Sequence, residues 1–185
     1  PPPATDSAEE AVRGKAELGR NTLRHLIFKR IDERANLITS EALEYLTSFS
    51  GGVLRDFLYI LREAAIEATI KNHRCIDLDD VKTVSRLLRS EYANRISPPQ
   101  RPFGETSITL EDINQTLGDV TDWPKRTADR PAAFRMLLQS LCILEYNGEQ
   151  WFNLHPAVRE YLEIRDAERE ARKAKKGKTP SPRKR

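Results

Sequence analysis

The chain has 185 residues, 38% of them hydrophobic and 32% charged, with a net charge of +3, which fits one large or two small domains of a helix-rich, soluble globular protein. No apolar run approaches the ~20 residues of a membrane span, and no basic-then-apolar leader opens the chain. Cys75 and Cys142 stand alone, with no CxxC or His cluster beside them, so they indicate neither a metal site nor a disulfide and are expected to be ordinary thiols in a reducing cytoplasm.

Charge is unevenly spread. Arg165 to Arg185 holds ten Lys or Arg against three Asp or Glu, a net of +7, which leaves −4 on residues 1–164. The basic balance belongs to the tail and gives no reason for the folded body to bind nucleic acid.

Residues 1–19 read as a lead-in. Pro1-Pro2-Pro3 should be extended or disordered, Ser7 to Leu18 favours a helix weakened at Gly14, and Gly19 should interrupt it. Asn21 is positioned to cap the next helix, which carries Leu23, Leu26, Ile27, Ile31 and Ala35 at spacings of three and four. Ser40 with Glu41 and Glu44 marks another helix start, for Ala42, Leu43, Leu46 and Phe49. The break Ser50-Gly51-Gly52 follows. A long central helix then runs to about Lys71, with Leu54, Leu58, Leu61, Ala65 and Ala68 as its apolar stripe. After Asn72-His73-Arg74, Asp77 can cap a helix through Val81, Val84, Leu87, Leu88 and Tyr92, ending near Ile96. Four helices with short connections predict a small all-helical bundle over 20–97.

Ser97 to Pro102 cannot continue a helix and sets a domain boundary. Over 103–164 the pattern changes. A short helix starts at Ile108 or Thr109 and runs through Ile113 to Leu117, a loop with Trp123-Pro124 spans Gly118 to Arg130, and Ala132 to Ile143 is helical around Met136, Leu137, Leu138 and Leu141. Asn147-Gly148 between β-formers predicts a hairpin whose two turn residues have positive φ. Pro156 can take the first position of a last helix, packed through Ala157, Val158, Tyr161, Leu162 and Ile164. Residues 165–185 form a basic tail, of which Arg165–Lys176 can prolong the helix as a solvated rod and Gly177–Arg185 should be disordered. The fold class expected is mainly α, a helical bundle followed by helices with a small β-hairpin.

Residues from about Leu23 to Tyr92 resemble the C-terminal helical lid of AAA+ ATPases, in the version found in origin-recognition-like and STAND-like bacterial ATPases. The resemblance is carried by Ile31-Asp32, Ala42-Leu43-Glu44-Tyr45-Leu46, Ser50-Gly51-Gly52-Val53-Leu54-Arg55-Asp56, Ala64-Ala65 with Ala68, and Ile76 followed by Asp80-Val81. Leu137 to Leu162 look like the winged-helix module that follows such lids, through Leu144-Glu145-Tyr146-Asn147-Gly148, Trp151 and His155-Pro156. The resemblance implies a C-terminal, regulatory part of a cytoplasmic ATPase that uses ATP with Mg²⁺. The ATPase domain would lie N-terminal to this sequence, which contains no G-x-x-x-x-G-K-[ST] loop. The fragment by itself would be no enzyme and would retain no cofactor.

In such lids an arginine at the position of Arg55 is the sensor 2 residue, reaching the γ-phosphate, with Gly51 and Gly52 forming the turn beside it. The chemistry suits phosphate: a planar, always-charged donor group stands at a helix N-terminus, behind glycines that let the backbone approach closely. Arg55 also sits where the helix dipole disfavours a cation. The competing reading is a surface arginine paired with Asp56 or Glu63.

For the winged helix, the helix over Ala132–Leu144 carries Arg135 as its single cation and the wing carries Glu145 and Glu149. A recognition helix needs more polar, phosphate-reaching groups, so a protein partner or self-assembly is expected, with DNA binding as the alternative. Trp123, Trp151, Phe152 and Tyr146 read as core rather than a stacking platform. His25, His73 and His155 show no ligand-like partners, and His155 reads as a hydrogen-bond donor locking a turn. The tail residues Lys173, Lys175, Lys176, Lys178, Arg183, Lys184 and Arg185 are either solvated or adhere to nucleic acid electrostatically.

Overall fold

A computed structural model describes residues 5–29, 36–100, 107–122, 131–146 and 151–176. Among them the fold is mainly α, seven helices with one two-stranded antiparallel hairpin. None of these helices is long and apolar enough to cross a membrane. The helices are α1 (Thr5–Phe28), α2 (Ser40–Phe49), α3 (Leu54–Ile70), α4 (Leu78–Arg95), α5 (Leu110–Asp122), α6 (Ala132–Gln139) and α7 (Pro156–Lys176), with β1 (Ile143–Tyr146) and β2 (Trp151–Leu154) between α6 and α7.

The chain divides into two compact units, Pro1–Leu88 and Arg89–Arg185. The sequence reading sets the boundary in the proline-rich segment after Ile96. The compact units divide inside α4, because the last residues of that helix pack with the second unit. Tyr92 is fully buried and stacks on His155 with centroids 4.2 Å apart, and the Arg95 guanidinium lies 4.2 Å from the Tyr92 ring centroid and donates to the Ser140 carbonyl at 3.3 Å.

In the first unit α1 is continuous through Gly14 and Gly19, so Gly19 does not interrupt and Asn21 is not a cap. Two glycines cost about 1 kcal/mol each in a helix interior, too little to break a long helix that packs on α2. Ile27 is buried, whereas Leu26 is exposed. The expected continuation through Ile31, Asp32 and Ala35 lies outside the described residues.

Thr39 caps α2, accepting from the Ala42 N–H at 3.2 Å. Ala42, Leu43, Leu46 and Phe49 are buried as their spacing predicts. α3 has its expected span, but a different face is inward. Phe57, Ile60, Ala64 and Ala68 are buried, while Leu54 (46%) and Leu58 (44%) are exposed along with Ala65. On α4, Val81, Val84, Leu88 and Tyr92 are buried, but Leu87 is exposed. A parallel bridge between Ile38 and Ile76 sets the starts of α2 and α4 side by side, with Thr39 N–H donating to Ile76 O at 3.0 Å and Ile76 N–H to Leu37 O at 2.8 Å.

In the second unit Thr109 and Asp112 cap α5 reciprocally. The Thr109 N–H donates to Asp112 Oδ2 at 2.8 Å and the Asp112 N–H to Thr109 Oγ1 at 3.2 Å, the capping-box exchange. α5 runs on through Gly118 to Asp122, so the expected loop does not start at Gly118; Trp123-Pro124 lies outside the described residues. α6 ends at Gln139, short of the expected Ile143. Leu141 takes φ 61° and the Cys142 N–H donates back to Leu137 O at 2.9 Å, a Schellman-type end without the usual glycine. Met136 and Leu137 are buried beneath it.

The hairpin register also differs from expectation. A two-residue turn at Asn147-Gly148 would pair Tyr146 with Glu149. Instead Tyr146 pairs with Trp151, Glu145 with Phe152, Leu144 with Asn153 and Ile143 with Leu154, so residues 147–150, which are not among the described ones, connect the strands. Phe134 meets Phe152 edge-on at 5.0 Å, and α5, α6 and the hairpin enclose the core of this unit. Phe152 is buried, with Trp151 and Tyr146 half-buried, and burial pushes the Tyr146 phenol up from its ordinary pKa. Of these aromatics Phe152 belongs to the core.

Pro156 opens α7 as expected, with Ala157 and Val158 buried but Ile164 exposed. The helix continues to Lys176, so residues 165–176 of the basic tail are helical. From Asp166 to Ala174 they are exposed.

Candidate functional site

The turn before α3 is built as the sequence suggests. Ser50 ends α2, its hydroxyl donating to Thr47 O at 3.0 Å, and Val53 N–H donates to Ser50 O at 2.9 Å. Between them Gly51 (φ 59°) and Gly52 (φ 83°) both occupy the left-handed region, which favours glycine. A Cβ on Gly52 would meet nothing within 4 Å, so conformation alone demands glycine there and the turn's outer side is open.

Val53 starts α3 without a side-chain cap. Arg55, in the first turn, is 62% exposed, and its Nε donates to Asp56 Oδ1 at 3.0 Å, where Asp56 is 3% exposed. The pairing with Asp56 therefore exists, while Glu63 pairs with Arg62 at 2.6 Å. The buried Asp56 carboxylate offsets the unfavourable dipole at Arg55, and this pairing is the one the surface-arginine reading expects. Gly51, Gly52 and Arg55 come together at one end of α3.

The other end of α3 holds a cluster that the sequence reading missed. Asn72 adopts φ 56° and the His73 N–H donates to Ala68 O at 2.8 Å, closing the helix. Five residues on, Asp77 and Asp80 cap α4. The Asp80 N–H donates to Asp77 Oδ1 at 3.0 Å and the Asp77 N–H to Asp80 Oδ2 at 3.1 Å. Asp80 is wholly buried and also meets Lys71 Nζ at 3.1 Å and His73 Nδ1 at 3.0 Å. Lys71 further pairs with Asp79 at 2.9 Å and Glu67 at 3.5 Å, and His73 lies 3.4 Å from Asp77.

These contacts move the titrations. Hydrogen bonds to Asp79 and then Asp80 hold the Lys71 ammonium well above its ordinary pKa. The hydrogen bond to Asp80 raises His73 above 6.5. Burial pushes the Asp80 carboxyl up, but hydrogen bonds from His73, the Asp77 N–H and Lys71 outweigh it and leave the pKa lowered. Asp79 is lowered by Lys71. His73, Asp77 and Asp80 also offer three ligand-type atoms within 4.8 Å of one another. Two of the carboxylate oxygens already accept cap hydrogen bonds and Lys71 supplies a positive charge, so the arrangement is that of a helix cap. Beside it, Thr39, Ser40, Glu41, Asp77, Leu78 and Asp79 line an open depression of about 570 Å³. The signal for this cluster in the sequence was His73-x-x-x-Asp77-x-x-Asp80, masked by the break between two helices.

Two other expected sites are less developed. On α6 the exposed residues include Arg135 and Gln139, a sparse polar face. In the tail Lys173 is exposed on α7 and Lys175 and Lys176 are in the same helix, while Lys178, Arg183, Lys184 and Arg185 lie outside the described residues. His155 is buried, and its Nδ1 accepts from the Ala157 N–H at 3.1 Å. It locks the start of α7 as an acceptor at that atom, not as the donor expected. Cys75 and Cys142 are free thiols, and burial pushes the Cys142 thiol up. Compared with known proteins, the chain matches no family model, no curated protein and no solved structure.

Proposed function

We propose that the chain is the C-terminal regulatory part of an AAA+-type ATPase, with the helices of residues 20–97 as a lid and Arg55 as its contact to the ATP phosphates. The observation that supports this most is the head of α3, where an exposed arginine follows two left-handed glycines in a turn whose outer side is open. Exposed Leu54 and Leu58 beside it offer an apolar shelf for a neighbouring domain. In this reading the phosphate cradle and the Mg²⁺ ligands come from an ATPase domain N-terminal to this sequence, and the helices and hairpin of residues 103–164 act as a winged helix that contacts a protein partner. The sparse cations of α6 support protein over DNA.

The test is Arg55→Ala in the ATPase that carries this chain. ATP affinity or turnover should fall at least about tenfold, the loss of one charge-assisted phosphate contact, with Arg55→Lys recovering only part. Unchanged affinity and turnover would contradict the reading.

A further inference from the structure

We propose that His73 is a proton-operated latch between the exit of α3 and the head of α4: protonated, it ties the Asn72 corner to buried Asp80, and on losing its proton it loosens that corner and destabilises the first unit in the neutral pH range.

The geometry supplies the parts. His73 is two residues past the C-cap Lys71, held in place by its own N–H to Ala68 O, and its ring nitrogen stands 3.0 Å from a carboxylate that is wholly buried. Asp80 in turn caps α4, so whatever holds Asp80 also holds the start of that helix.

The charges around the ring are lopsided. From α3, Lys71 is cationic and Glu67 anionic; from α4, Asp77, Asp79 and Asp80 are anionic, and Glu41 lines the same depression from α2. Arg74 adjoins in the connection and Arg86 acts on Asp79 from further along α4. Lys71 is the one cation besides His73 in direct contact with Asp80 in the ion pairs described. A neutral His73 ring can keep its Nδ1–H on Asp80 but no longer carries charge, so deprotonation leaves Lys71 as the cation facing Asp79 and Asp80.

The direction of the linkage follows. The folded chain holds the His73 proton more tightly than the unfolded chain does, since the folded pKa lies above 6.5. Folding therefore binds protons. The stabilisation is complete below pH 6.5 and is lost as pH rises through the raised value, a window that reaches into the neutral range where histidine switches operate.

The test is urea denaturation of the full chain from pH 6 to 8.5, alongside an NMR titration of the His73 ring. The substitution is His73→Asn, whose amide can still donate to Asp80 but cannot titrate. The unsubstituted chain should lose stability as pH rises through this window, and His73→Asn should abolish that slope. Substituting His25 by Asn should leave it unchanged. The His73 ring should titrate above 6.5. A slope that persists in His73→Asn would overturn the proposal. So would a His73 ring that titrates at or below 6.5, a result readable in the unsubstituted chain even if the variant does not fold.

Discussion

Asp80 and Asp56 are buried carboxylates, and each is kept in place by partners rather than by solvent. Asp80 accepts from a lysine, a histidine and a backbone N–H, and Asp56 from Arg55. Burying a charge is costly unless it is paired and hydrogen-bonded, so these residues mark where the fold has committed polar groups to a specific geometry. Apolar neighbours divide just as sharply. Phe57 is fully buried and Leu58, one residue on, is 44% exposed. Phe57→Ala should therefore destabilise the chain by about 3–5 kcal/mol, and Leu58→Ala by about 1 kcal/mol or less, measured by denaturant unfolding of both variants. Equal losses would mean that the stripe through Leu54 and Leu58 is the packed one after all.

At the scale of elements, helix starts were the most legible feature. Ser40, Asp77, Thr109 and Pro156 mark the starts of α2, α4, α5 and α7 in the sequence through local chemistry or a fixed φ, although the residue that caps α2 is Thr39. Inward faces and helix ends were less so. α3 carries apolar residues over much of its circumference, so periodicity could not choose between the stripe of Leu54, Leu58, Leu61, Ala65 and Ala68, of which Ala68 is buried, and the face of Phe57, Ile60 and Ala64 that is buried with it; only packing decides that. The end of α6 went unseen because Leu141, not glycine, takes the left-handed position. Gly19, which should have stopped α1, costs too little to do so. In α7 the exposed stretch carries Arg169 and Arg172 near Asp166 and Glu168, at 4.0 and 3.9 Å. Such exposed pairs add little stability. A chain ended after Asp166 should thus unfold within about 0.5 kcal/mol of the full chain. It should also lose whatever salt-sensitive duplex DNA binding the full chain shows in a gel-shift series. DNA binding that survives the truncation would place it on α6 or the hairpin and favour the DNA-reading alternative.

At the scale of the molecule, the mainly α class with one small hairpin was readable from periodicity and from the β-formers on either side of Asn147-Gly148. The division inside α4 was not, because it depends on Tyr92 stacking with His155, more than sixty residues away in sequence. The turn of Gly51 and Gly52 and the helix start that places Arg55 were legible, because these residues are neighbours in the chain. The Lys71–His73–Asp80 cluster forms only when two helices and a left-handed corner bring its members together. The central proposal, that Arg55 reads the phosphates of ATP, is tested most directly by amide hydrogen exchange over residues 51–58 in the longer ATPase that the proposal calls for. Exchange there should slow when a non-hydrolysable ATP analogue is bound in place of ADP, and the difference should vanish in Arg55→Ala. Identical exchange with either nucleotide bound would contradict the claim.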